Sequence, residues 1–165
     1  MSSNILDNQS VNIRPGNLQD LPEMLILFKE TIISICKKDY NTDQLEAWKS
    51  GAYNLERWLK VMKEQIVLVA EMDHQIVGFC TLDQGHYIDL LFVHKDHQHL
   101  GIASLLYNLI EKEAIKQNNL SLTADVSKTA KPFFKRMGFH VISEQTVHVK
   151  GVDLINYKMQ KNLLT

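Results

Sequence analysis

The sequence predicts an α/β (α+β) domain built on a mixed, mainly antiparallel sheet of about seven strands, flanked by about four helices. Three observations lead there. Seven short β-rich runs recur between residues 11 and 159; stretches of helical periodicity separate several of them; and the runs 87–93 and 120–126 are joined by a helical crossover, which makes them parallel neighbours while the surrounding hairpins pair antiparallel. A chain of 165 residues, 45% hydrophobic and 22% charged, with seven Gly and three Pro, suits one globular domain over residues 11–160 behind a flexible segment, 1–10.

Val11 to Arg14 forms the first strand, closed by Pro15-Gly16, after which Asn17 and Asp20 supply N-cap chemistry and Pro22 falls in a first helical turn, where it is tolerated. Leu21, Met24, Leu25, Leu27, Phe28, Ile32 and Ile35 then recur at helical spacing. A second helical stretch from Thr42 or Asp43 carries Leu45, Trp48, Leu55, Trp58, Leu59 and Met62; the break near Ser50-Gly51 allows one kinked helix or two short ones. Ile66–Ala70 and Ile76–Leu82 form a hairpin around Met72-Asp73-His74-Gln75, and Gly85 separates it from strand 87–93. A helix opening at Gly101 runs to about Gln117, with Leu105, Leu106, Leu109, Ile110 and Ile115 on its buried side, and Asn118-Asn119 ends it. After strand 120–126, a helix from Thr129 to Met137 stops at Gly138, and Phe139–His148 and Val152–Met159 close the sheet around Lys150-Gly151.

Eighteen Lys and Arg against 19 acidic residues leave a formal charge of −1, which gives no general pull toward nucleic acid or an anionic membrane. The N-terminal segment has neither a basic flank nor an apolar core, and no stretch reaches membrane-spanning length, so a soluble, unprocessed protein is expected. Cys36 and Cys80 sit in apolar surroundings and read as buried free thiols, for which a reducing cytoplasm is the natural setting.

Gln98-His99-Leu100-Gly101-Ile102-Ala103-Ser104, directly after the apolar strand 87–93, has the character of a phosphate cradle. Free backbone N–H groups collect at a helix start, and Gly101 and Ala103 let a pyrophosphate approach closely. That points to a nucleotide-bearing cofactor. The dinucleotide fingerprint of three glycines after a first strand is missing. The order found instead is strand, Gln-x-x-Gly-x-Ala, long helix, strand, then Ala130-Lys131-Pro132-Phe133-Phe134-Lys135-Arg136-Met137-Gly138-Phe139. Together these resemble the GNAT superfamily of acyl-CoA-dependent N-acetyltransferases, over roughly residues 11–160.

The resemblance implies acetyl-CoA as acyl-donor cosubstrate, bound in a splay between strands 87–93 and 120–126. It implies pyrophosphate binding by the amides of His99, Leu100, Gly101, Ile102, Ala103 and Ser104, with Gln98 at the first motif position, and pantetheine pairing with main-chain groups of Phe92 and Val93. Ser127 stands at the motif's asparagine position. Phe134 stands where the family often carries the tyrosine that protonates departing coenzyme A, a role phenylalanine cannot fill, although a thiol with a pKa of about 8.5 leaves adequately as thiolate.

Transfer to an amine also needs proton removal, and the family often places the base on the strand before the cradle. Asp89 is the first choice as base or water-positioning group, since desolvation among Ile88, Leu90 and Leu91 would strengthen it as a base; the alternative is a carboxylate that simply accepts hydrogen bonds from its neighbours. Tyr87, two residues earlier and so on the same sheet face, is the second. His94, His97 and His99 lack a Cys or carboxylate set at zinc spacing, and no metal is expected. Lys128, Lys131, Lys135 and Arg136 suit either the 3′-phosphate of coenzyme A or a solvated helix face. Tyr40, Trp48, Tyr53 and Trp58 fall in the family's acceptor-groove region, or anchor the core. The expected partners are acetyl-CoA and an amine acceptor, in a monomer or homodimer; a non-catalytic acyl-CoA sensor is the rival reading, and a plain interaction domain a third.

Overall fold

The computed structural model describes residues 10–163, so the expectation of a flexible start concerns residues that lie, save one, outside those described. Seven strands form one sheet in the order β1-β2-β3-β4-β5-β7-β6: β1 (Asn12–Pro15), β2 (Ile66–Met72), β3 (Gln75–Asp83), β4 (Tyr87–Val93), β5 (Ser121–Ser127), β6 (His140–Val149) and β7 (Val152–Asn162). Among the described residues only β4 and β5 run parallel. Among the described residues five α-helices flank the sheet: α1 (Leu21–Ile35), α2 (Thr42–Lys49), α3 (Leu55–Glu64), α4 (Ile102–Lys116) and α5 (Lys131–Arg136).

The helical stretch left open by sequence is two helices. A short 3-10 turn over Ser50–Tyr53 separates α2 from α3, and the side chain of Asn54 accepts the Arg57 N–H to start the second. The hairpin between β2 and β3 turns on Asp73 and His74 alone, both at positive φ (48° and 62°), so the strands run further toward the turn than expected. In the 3-10 turn Leu18–Asp20 that leads into α1, Asn17 and Asp20 form a reciprocal capping box, and the Asp20 carboxylate also takes two bonds from Arg14, at 2.8 and 2.9 Å. Arg14 holds this carboxyl below its ordinary value.

Side chains pack on both faces. Met24, Leu27, Phe28, Ile32 and Trp58 of α1 and α3 cover one, and Leu106, Ile110, Ala114, Phe134 and Phe139 cover the other. The expected buried side of α4 needs correction: Leu105, Leu109 and Ile115 are exposed, and Ile102, Leu106, Tyr107, Ile110 and Ala114 face the sheet. The helix axis lies so that the small Ala114 and the ring of Tyr107 meet the strands, and hydrophobicity alone does not reveal that phase.

Two features of β4 position the site. Its pairing with β5 is confined to Tyr87↔Thr123 and Ile88↔Ala124, beyond which the two strands separate. Its register against β3 passes from Leu82↔Ile88 to Thr81↔Leu90, so Asp89 is an extra, bulged residue.

Candidate active site

The separation of β4 from β5 opens a cleft of about 1400 Å³ that reaches from the start of α4 to the helices on the α1 face. The cradle forms its first end. Gln98 folds back, its side-chain amide donating to Val93 O at 2.7 Å and to His94 O at 3.2 Å, which fixes the loop rather than offering a group outward. His99 (φ 62°) and Gly101 (φ 82°) take left-handed conformations that turn the chain into α4. The first helical bond comes from Leu105 N–H to Gly101 O, so the amides of Ile102, Ala103 and Ser104 precede it and lack intrahelical partners. A Cβ built on Gly101 meets nothing within 4 Å. These residues therefore present a row of main-chain donors at a helix N-terminus, with open space at Gly101, the arrangement a diphosphate fits.

The free edge of β4 continues from the cradle. His94 N–H donates to Val77 O, and alternation along the ladder turns the main-chain groups of Phe92 toward Phe79 and those of Leu91 and Val93 toward the split. Thr31 and Gln98 both donate to Val93 O, leaving that residue its N–H. Leu91, which sequence reasoning passed over, is thus better turned to pair with an inserted arm than Phe92. Phe92 instead places its ring in the cleft against Phe28, centroids 4.8 Å apart.

The vertex of the split, where β4 and β5 begin to part, is polar on the α1 face. Asp89 accepts from Arg57 at 2.9 Å and from Gln65 Nε2 at 2.8 Å; the bulge sends its apolar neighbours Ile88 and Leu90 into opposite cores, and the carboxylate meets donors rather than a dry pocket. Tyr87 donates its hydroxyl to Asp125 Oδ2 at 2.7 Å, and burial, then this anionic neighbour, push the phenol well above its usual range. Asp125 also accepts from Gln145 Nε2 at 2.8 Å. Arg57, Gln65, Asp125 and Gln145 were not found from sequence. For Asp125 a signal existed: in strand 120–126 it falls with Thr123 in the set alternate to the apolar Leu122, Ala124 and Val126, which marks the opposite face of the sheet.

The remaining expected residues divide. Ser127 lines the cleft and accepts the Ala130 N–H at 3.0 Å, shaping the approach to α5. Phe134 lines it too, 4% exposed, its ring edge-on to Phe133 and Phe139. Leu100, 44% exposed, is the one cofactor candidate outside the lining. His94 and His97 contact each other, Nδ1 to Nδ1 at 3.1 Å, and burial followed by His94 lowers the His97 pKa. Among the described residues no three His, Cys, Asp or Glu side chains group as metal ligands. Of the basic cluster only Arg136 lines the cleft, joined by Lys95; the Lys131 ammonium lies 4.0 Å from the Tyr157 ring centroid. Trp58 is a core anchor, 1% exposed with its indole N–H on Gly51 O, whereas half-buried Trp48 lines the cleft beside Tyr40. Tyr40 donates to Ile155 O at 2.7 Å and accepts the Lys128 N–H at 3.0 Å, tying the first α-helical face to β7 across the cleft.

Known proteins share this architecture. A family model for the acetyltransferase (GNAT) domain matches residues 36–161. The chain is 35% identical over 150 residues to the uncharacterized N-acetyltransferase YafP of Escherichia coli K12, covering 90% of this chain and 92% of that protein. Among solved structures, a GCN5-related N-acetyltransferase from Rhodopseudomonas palustris superposes with a TM-score of 0.89 at 30% identity, over 93% of this chain and 96% of that one. The fold alone is shared with the PaiA N-acetyltransferase from Thermoplasma acidophilum, solved in complex with coenzyme A: TM-score 0.75, 21% identity, 93% of this chain and 99% of that one. With its split parallel pair and open helix-start cradle, the chain belongs to the GNAT superfamily of N-acetyltransferases.

Proposed function

We propose that the protein transfers the acetyl group of acetyl-CoA directly to a primary amine of a small molecule or a protein, within a single domain over residues 11–160. The observation that carries this reading is the continuity of cradle, free β4 edge and polar vertex along one cleft. The amides of residues 99–104 would hold the diphosphate, the outward main-chain groups of Leu91 and the N–H of Val93 the pantetheine, and Arg136 with Lys95 supply positive charge at the nucleotide end. An arm held this way ends at the vertex, on whose far side the aromatic floor of Phe28, Trp48 and Phe92 is open to an acceptor.

Asp89 suits water positioning or orientation of the amine, because Arg57 and Gln65 fix its carboxylate. Tyr87 stands beside it as the hydroxyl of the site. Direct transfer fits the thiols: burial pushes Cys36 up to about 11 and Cys80 higher still, so neither is available as thiolate for an acyl-enzyme. Buried free thiols also favour a reducing compartment, and we place the protein in the cytoplasm; no helix among the described residues is long and apolar enough to cross a membrane. Monomer and homodimer are both compatible with the cleft.

Phe134 favours a second reading, a non-catalytic acyl-CoA sensor, since it removes the hydroxyl that in the family serves the departing thiol. Acetyl-CoA-dependent thiol release across a panel of primary amines separates the two. Release with any amine supports the transferase, and tight coenzyme A binding with no release across the panel supports the sensor.

A further inference from the structure

We propose that the proton lost by the attacking nitrogen passes through the Tyr87 hydroxyl to the Asp125 carboxylate, so that Asp125, on the strand across the split, serves the reaction through Tyr87. The inference rests on the acetyl-transfer reading and adds to it the path of the proton.

Geometry selects this pair over Asp89. The split closes at Ile88↔Ala124, and the residues that flank its closed end on the α1 face are Asp89 on one strand and Asp125 on the other. Asp89 is held in an ion pair with the Arg57 guanidinium at 2.9 Å, its other oxygen on Gln65 Nε2 at 2.8 Å, and it shares no hydrogen bond with Tyr87. Asp125 has no Lys or Arg nitrogen within 4.0 Å among the described residues. Lys158 stands across the β5–β7 ladder from it and keeps a cation nearby without a direct pair. Both Asp125 oxygens accept, one from Tyr87 and one from Gln145, whose amide also donates to Asn156 Oδ1 at 2.9 Å. The carboxylate is therefore fixed in position and acts as an acceptor.

Tyr87 cannot be the terminal base, since burial and Asp125 hold it as a neutral phenol. It can relay. Its own proton points to Asp125, and its remaining lone pair is left for a donor in the cleft. As the nitrogen–carbon bond forms, the carbonyl π pair moves to oxygen. That pair returns as the carbon–sulfur bond breaks, and the bonding electrons leave on sulfur as thiolate. The nitrogen's proton goes to Tyr87 Oη while the Tyr87 proton goes to Asp125 Oδ2. Asp125, exposed at the sheet surface, returns its proton to solvent, and the thiolate is protonated there. Charge and atoms balance without another reactant.

The test uses the full chain with acetyl-CoA and, as nucleophiles, hydroxylamine and a panel of primary amines (tyramine, spermidine and a lysine peptide). Coenzyme A affinity is measured by calorimetry and folding by thermal melting. The expected result is a fall in kcat of about 100-fold in both Tyr87→Phe and Asp125→Asn, with coenzyme A affinity and melting unchanged and with a double variant no slower than either single. Asp125→Glu should recover part of the rate. The proton inventory in H2O/D2O mixtures should be bowed in the wild type and linear in Tyr87→Phe. A rate for Asp125→Asn within about threefold of wild type, or losses that multiply in the double variant, would overturn the relay while leaving acetyl transfer standing. A wild-type protein that binds coenzyme A and acetylates none of these nucleophiles overturns the transfer reading, and the relay falls with it.

Discussion

The cradle and the vertex lie at opposite ends of β4 and are built from different materials. The cradle is main chain: contiguous amides from 99 to 104, set by two left-handed residues and a glutamine that ties the loop to Val93. The vertex is side chain: Arg57, Gln65, Asp89, Tyr87, Asp125 and Gln145 meet there across separations of 20 to 38 residues. A main-chain site asks only that the chain take one conformation, so most side-chain changes there should be silent unless they add bulk or charge. A side-chain site depends on every member, because removing one leaves a partner without its bond.

Gly101→Glu should break the cradle most completely. It puts a negative charge where anions would bind, at a φ of 82°, and coenzyme A affinity measured by calorimetry should fall by at least about 100-fold, about 2.8 kcal/mol. Gly101→Ala sharpens the point. Its methyl group has open space, so it should cost about 1 kcal/mol of stability from the left-handed backbone and less than about tenfold in affinity. At the vertex the pattern reverses: Asp89→Asn and Arg57→Ala should each slow turnover by about tenfold with coenzyme A affinity unchanged. Equal effects on binding and turnover would erase the distinction between the two regions. Phe134→Tyr, beneath the cleft rather than at either end, should alter turnover by less than about threefold, because a thiolate leaves without a donor.

The smallest effect belongs to a pair remote from both regions. Arg14 lowers the pKa of Asp20, so the stabilisation is complete above the unfolded-state value near pH 4 and is lost as pH falls through the lower folded value. Asp20→Asn should therefore lower stability by about 1 to 2 kcal/mol at pH 7, and the gap in melting temperature from wild type should narrow as pH falls below the unfolded-state value. Turnover and coenzyme A affinity at pH 7 should not change.

The same contrast in materials explains what sequence could reveal. The strand–turn–helix that forms the candidate cradle was legible because its signal is local: a glycine and small residues at fixed spacing after an apolar strand, followed by Ala130-to-Phe139 in the expected order. The parallel pair was legible for a similar reason, since a helical crossover joins its two strands, whereas the insertion of β7 between β5 and β6 was not. The vertex was not. Its partners converge only once the bulge at Asp89 is placed and the parallel register brings Tyr87 level with Thr123, and neither leaves a mark in composition or periodicity. The same bulge put Asp89 among donors, although its sequence neighbours are apolar. On α4, Leu106 and Ile110 are buried as expected, whereas Leu105, Leu109 and Ile115 face solvent and Ala114 and Tyr107 take buried positions, a phase that packing sets.

Backbone amide NMR of the full chain during titration with coenzyme A tests the central claim most directly. The resonances of residues 99–104 should move to saturation with the largest shifts in the protein, and Gly101→Glu should abolish the movement. Saturable coenzyme A binding that leaves those amides unshifted would contradict the claim.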